Sequence, residues 1–215
     1  MYLLYKIFLF LLIIISPFLI IIRMLIGKES TERFKEKFCF FSSKSLIGKT
    51  VWIHGASLGE IQSIIPIVKK FEKNKKIKQI LITSNTLSSS LIIPKFKFKK
   101  TIHQFFPIDL DYFTKKFLNY WKPSISIFVD SEIWPNMISN LYNKKIPIII
   151  LNARFTKKSF KRWISFPKFS KNIFKKISMA IPQNSETLFY LKTLGVKQLI
   201  VAVNKMDDSK FSEDA

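Results

Sequence analysis

The sequence predicts an α/β fold, a parallel sheet with helices covering both faces. Short apolar runs at 50–53, 79–83, 102–106, 124–129, 146–151 and 179–182 read as buried strands. Stretches with helical spacing lie between most of them, so strand and helix alternate along the chain. The polar clusters follow strand ends, and parallel sheets bind ligands beyond their carboxyl edge.

The chain has 215 residues, 48% hydrophobic and 15% aromatic. That excludes a disordered protein and leaves room for one sizeable core plus an anchor. The net charge of +22 calls for an anionic partner, either nucleic acid or a surface of phosphorylated lipid. The lysines are scattered in pairs such as Lys69-Lys70 and Lys99-Lys100. No nucleic-acid module stands among them, so no nucleic-acid partner is expected. The single Cys39 excludes an intrachain disulfide framework and suits a cytosolic face. With only two His besides, no zinc-type ligand set is present and no metal is expected.

Residues 7–22 carry no charge and are nearly all Ile, Leu and Phe, broken by Ser16-Pro17. With their apolar flanks they approach the roughly 20 residues that span a bilayer. No small-x-small cleavage site precedes Gly27, which favours a retained anchor over 1–26 rather than a signal peptide. Arg23, Lys28, Arg33, Lys35 and Lys37 follow it, against Lys6 before it, which puts the body on the cytoplasmic side of the inner membrane. Residues 27–49 form a basic membrane-surface segment, with 28–37 read as a short amphipathic helix at the headgroups.

The body begins with a strand at 50–53, then a small-residue turn, Gly55-Ala56-Ser57, and a helix from about Gly59. Ile61, Ile64, Ile65 and Val68 share one face of that helix. Strand, small-residue turn and helix N-terminus make a cradle for an anionic or sugar ligand, with Glu60 at its mouth. On pattern alone, Glu60 as a plain first-turn acid is the stronger alternative. After strand 79–83, Ser84-Asn85-Thr86 supplies a helix cap. A helix over 110–121 precedes strand 124–129. Asp130-Ser131-Glu132 follows, two acids that can bind hydroxyls or hold positive charge. The alternative is that one of them caps the next helix, 133–142. Strand 146–151 leads to Asn152-Ala153-Arg154. An arginine at a strand end suits phosphate or carboxylate, the alternative being a salt bridge to one of the two acids. Helices over 169–176 and 185–194 complete the body, which spans 50–194.

Trp52-Ile53-His54-Gly55-Ala56-Ser57-Leu58-Gly59-Glu60 resembles the signature of the bacterial Kdo (3-deoxy-D-manno-octulosonic acid) transferases, Trp-x-His-x-Ala-Ser-x-Gly-Glu. Ile82-Thr83 with Thr86 resembles that family's Thr-x-Thr segment, and Pro107-Ile108-Asp109 its Pro-x-Asp. Asp130-Ser131-Glu132-Ile133-Trp134-Pro135-Asn136 resembles its Glu-Thr-Glu-x-Trp-Pro-Asn, and Asn152-Ala153-Arg154 its Asn-Ala-Arg. The motifs stand in the family's order. The resemblance implies a Rossmann-like acceptor-binding domain, the N-terminal half of a GT-B glycosyltransferase. It implies inverting, metal-free transfer of Kdo from CMP-Kdo to the lipid A precursor, lipid IVA, in lipopolysaccharide synthesis. By the same resemblance Glu60 is the general base and Asp130 and Glu132 are catalytic. Ser57, Gly59, Thr83, Thr86, Asn152 and Arg154 then contact the acceptor. Asp130 stands where the family has Glu, one methylene shorter.

Family members are about twice as long, which makes weak or no activity the expectation for these 215 residues. A non-catalytic, membrane-anchored lipid-binding fragment is the other reading. Residues 193–207 resemble the Asn-Lys-x-Asp strand and loop of elongation factor 1-alpha-type GTPases, but the chain has no Gly-x-x-x-x-Gly-Lys-Ser/Thr loop. A foreign or disordered tail is therefore expected over 195–215.

Overall fold

The computed structural model describes residues 20–200, together with Tyr5, Ile15 and Phe18. Six strands form one sheet: β1 (Thr50–His54), β2 (Gln79–Ser84), β3 (Thr101–Phe105), β4 (Ile125–Val129), β5 (Ile148–Ala153) and β6 (Met179–Pro182). Their order is β3-β2-β1-β4-β5-β6 and every pairing is parallel. The order reverses direction between β1 and β4, the point where such sheets open a crevice at their carboxyl edge.

The helices are α1 (Leu58–Lys73), α2 (Leu87–Ile92), α3 (Asp111–Trp121), α4 (Pro135–Asn143), α5 (Lys157–Ile164), α6 (Pro167–Phe174) and α7 (Ser185–Leu194). They divide between the faces as right-handed crossovers require. On one face, Ile61, Ile64, Ile65 and Val68 of α1 pack on Ile53, Ile80, Ile82 and Val129. On the other, α3, α4, α6 and α7 pack on Trp52, Leu81, Phe128, Ile148 and Ile150. Both faces are covered, so β1 and β2 are buried at every residue and show no polar alternation.

The predicted strands all form, within two residues of the expected limits. Helices α4 and α6 start later and earlier than expected for the same reason. Each has a proline in its first turn, Pro135 or Pro167, where the missing N–H costs nothing. Helix α5 was not predicted. Its sequence, Lys-Lys-Ser-Phe-Lys-Arg-Trp-Ile, buries no residue fully, and only Phe160 and Trp163 pack inward.

The expected amphipathic helix over 28–37 is instead a 3-10 turn, Phe34–Phe38, ended by Cys39 in the left-handed region at φ 59°. Glu36 is the cause. Its carboxylate is buried, bound by Arg33 at 2.7 and 3.0 Å, and accepts the Phe105 N–H at 2.8 Å. Arg33 also donates to the His103 carbonyl at 2.9 Å. These are the outward-facing backbone groups of β3, so side chains occupy the edge of the sheet. Beyond β6, the Ala180 N–H donates to the Gln198 carbonyl and the Ile200 N–H to the Ala180 carbonyl, at 2.9 and 3.0 Å. Residues 195–200 thus continue onto the sheet, with Val196 buried.

Most of the expected anchor over 1–26 and all of the tail after Ile200 lie outside the described residues. Residues 20–25 are helical, with Ile21, Ile22 and Leu25 exposed. Among the described residues no helix is long and apolar enough to cross a membrane.

Candidate active site

The crevice is built by the loops after β1 and β4. After β1, Ser57 takes the N-cap of α1 in an extended conformation. Its hydroxyl accepts the Glu60 N–H at 3.4 Å and donates to Glu60 Oε1 at 2.7 Å. Glu60 Oε2 accepts the Ala56 N–H at 2.8 Å. This is a capping box with its carboxylate reaching one residue further back than usual. The fold-back needs Gly55, because a Cβ there would lie 3.1 Å from both Glu60 Cβ and Ile61 Cδ1. Gly59 differs: a Cβ there would meet nothing within 4 Å. Among the described residues no contact requires its small size, and it is exposed at the crevice.

Asp130, just after β4, has φ 63°, and Asn152, next to the last residue of β5, has φ 55°. Two adjacent strand ends thus hold non-glycine residues in the left-handed region, which Asp and Asn tolerate best and which concentrates at functional sites. Glu132 Oε2 accepts from Trp134 Nε1 at 2.9 Å and lies 3.3 Å from His54 Nε2. His54 is fully buried and stacks on Phe106 at 4.0 Å. Its Nδ1 lies 3.0 Å from the Thr83 hydroxyl, which also accepts from Trp52 Nε1 at 2.9 Å. The ring is thus held from both sides: Nε2 faces the Glu132 carboxylate, and Nδ1 faces both the hydroxyl and the carbonyl of Thr83, at 3.0 and 3.2 Å.

The three acids sense one another. Burial raises the Glu60 carboxyl above the usual carboxylate range, the Ser57 and Ala56 bonds oppose that, and the charges of Glu132 and Asp130 add to it. Burial likewise raises Asp130, against the pull of Arg154 and with the push of Glu132. Arg154 is exposed and has no ion pair within 4 Å among the described residues, so the salt-bridge alternative is not realised.

Neither Asp130 nor Glu132 caps α4, the other alternative left open by the sequence. Asp109, from the loop after β3, does so across space. It accepts the Asn136 N–H at 3.0 Å and the Met137 N–H at 2.7 Å. Burial pushes its carboxyl up to about 7, opposed by the Tyr5, Asn136 and Met137 bonds.

Glu60, Asp130, Glu132, Ser57, Gly59, Asn152 and Arg154 all fall at this carboxyl edge. Thr83 and Thr86 have other duties. Thr83 is fully buried and orients His54 and Trp52. Thr86 is the N-cap of α2, accepting the Ser89 N–H at 3.3 Å. Sequence reasoning missed His54 and Asp109 as site-building residues. The signal for His54 was its place in the first motif, and for Asp109 its place in the Pro-x-Asp motif.

A doubly wound parallel sheet with Glu60, Asp130 and Glu132 in the loops at its switch point defines a Rossmann-type domain. The chain belongs to the Kdo transferase family: residues 32–212 match the family model described as 3-deoxy-D-manno-octulosonic-acid transferase (kdotransferase). That match runs across the Leu194-Gly195 point where the elongation-factor resemblance begins. Among curated relatives, the 3-deoxy-D-manno-octulosonic acid transferase of Rickettsia bellii is 38% identical, over 87% of this chain and 44% of its own length. That of Rickettsia typhi is 33% identical over 91% and 52%. The Haemophilus influenzae protein of the same name is 26% identical over 86% and 44%. The chain spans about half the length of the curated relatives it matches.

Proposed function

We propose that this domain is the acceptor-binding half of an inverting glycosyltransferase. It moves Kdo from CMP-Kdo to a hydroxyl of the lipid A precursor, lipid IVA, in lipopolysaccharide synthesis. The observation that carries the reading is Glu60, a carboxylate fixed at the switch point with its proton affinity raised by burial and two neighbouring acids. A general base works best when its pKa is lifted toward the working pH. Glu60 takes the acceptor hydroxyl's proton as that oxygen bonds to the anomeric carbon. The bond from that carbon to CMP breaks on the opposite side, and CMP leaves with its phosphate. Asp130 and Glu132 stabilise the positive charge that develops on the sugar. Arg154, with Lys157 and Lys158 at the start of α5, faces acceptor phosphates. Exposed Phe18, Ile21 and Leu25 support seating on the inner membrane from its cytoplasmic side. CMP-Kdo is engaged mainly by sequence that the longer relatives have beyond this half, and no metal takes part.

The test uses the 215-residue chain alone and fused to the C-terminal half of a Rickettsia relative. Lipid A precursor should bind the chain alone, survive Glu60→Gln and weaken in Arg154→Ala. Transfer should be slight without the second half. In the fusion, Glu60→Gln should lower it by about 10²–10⁴-fold. Transfer at the parent rate in the Glu60→Gln fusion would sink the assignment.

A further inference from the structure

Asp109 and its loop join three distant parts of the chain. It holds the first two amides of α4 through Asn136 and Met137, and the Asn136 side-chain amide donates back to the Asp109 carbonyl. Its loop is tied to the segment before the sheet, because the Ile108 N–H donates to the Lys37 carbonyl at 3.0 Å. The third part is Tyr5. The Tyr5 phenol donates to Asp109 Oδ2 at 2.7 Å, and its ring lies 6.3 Å from that of Phe169 in α6. Residues 5 and 109 are 104 positions apart, so this contact exists only in the folded chain. Helix α4 begins immediately after Trp134, whose indole, with His54, sets the position of Glu132. Whatever fixes the start of α4 therefore fixes the acid-bearing loop.

We propose that Tyr5 is a positioning residue for the acid cluster: its bond to Asp109 clamps the start of α4, and with it the loop carrying Glu132 and Trp134. Tyr5 is then a working part of the crevice's scaffold, besides any role of residues 1–26 as an anchor. This rests on the fold and does not require the transfer reaction.

Hydrogen exchange on the full 215-residue chain, without substrate, tests it separately from the reaction. Tyr5→Phe keeps the ring on Phe169 and removes only the hydroxyl. It should speed exchange at the amides of 132–137 by about tenfold, the scale of one hydrogen bond to a carboxylate. The amides of α1 and of β1 and β2 should keep their protection. Asp109→Asn should loosen the same amides, and Tyr5→Phe added to it should contribute less than it does alone. Unchanged exchange at 132–137 in Tyr5→Phe would overturn the proposal. So would an increase spread evenly over the sheet, or full additivity of the two substitutions.

Discussion

The loop after β1 holds its acid with partners no more than four residues away, Ala56 and Ser57. The loop after β4 holds its acid both with Trp134, two residues on, and with His54, 78 residues away, and its helix with Asp109, 27 and 28 residues from the amides it binds. The first loop is nearly self-sufficient. Its N-cap, glycine and carboxylate arrange themselves wherever a strand delivers them to a helix. The second has no local means of closing α4, since Trp134 at the N-cap position spends its indole N–H on Glu132 and makes no side-chain capping bond to the helix. It borrows its order from the rest of the domain. An acid placed locally survives damage elsewhere, whereas one placed globally reports on the whole fold.

The hardest test of that contrast is Asp109→Ala. It strips the partner from two buried helix amides and should cost about 2–4 kcal/mol, read as a lower urea midpoint of unfolding. A loss of that size is a large part of a domain's stability.

The same residue sets a pH dependence. In the unfolded chain its carboxyl ionises around 3.8, in the folded chain around 7, so between those values the folded state holds the extra proton. Its contribution to stability is therefore complete below 3.8 and is lost as pH rises through about 7. Stability curves of the parent and Asp109→Asn should diverge in that window, with the parent falling more steeply.

Ser57→Ala, the corresponding cut in the first loop, should cost only about 1 kcal/mol. It should also move the Glu60 carboxyl further up, because the Ser57 bond opposes the rise. Carboxyl chemical shifts followed through a pH titration measure this, and a fall would break the account of Glu60.

The smallest effect has the opposite sign. Gly59→Ala meets no atom within 4 Å and replaces a poor helix former, so it should stabilise by roughly 0.5–1 kcal/mol. If the crevice needs a bare backbone there, lipid A precursor will bind this more stable chain less well.

The contrast also governs what could be read from sequence. Ser57, Gly55 and Glu60 were legible because capping and close backbone approach are matters of neighbouring residues. The strands were legible because sheets buried on both faces need unbroken apolar runs, as at 79–83 and 146–151. The roles of His54, Thr83 and Asp109 depend on strand order and on which loop lies beside which helix. Neither propensity nor spacing carries that information. Thr83, expected to touch the acceptor, is fully buried in β2 and bonds His54 and Trp52, a placement that spacing alone does not show. The amphipathic helix expected over 28–37 does not form because Glu36 is drawn inward by a strand edge almost 70 residues later.

That edge has a consequence for the chain's behaviour in a crowd. A bare outer strand exposes a row of N–H and C=O groups on which another molecule can template a strand. A sequence with 22 phenylalanines would be prone to such stacking. Here the Glu36 carboxylate and the Arg33 guanidinium occupy the outward Phe105 and His103 backbone groups of β3. A short ionic clip thus takes the place of a neighbouring strand without itself being one. The pair works as a guard against self-association, and its loss would show first in solubility, before any change in the crevice.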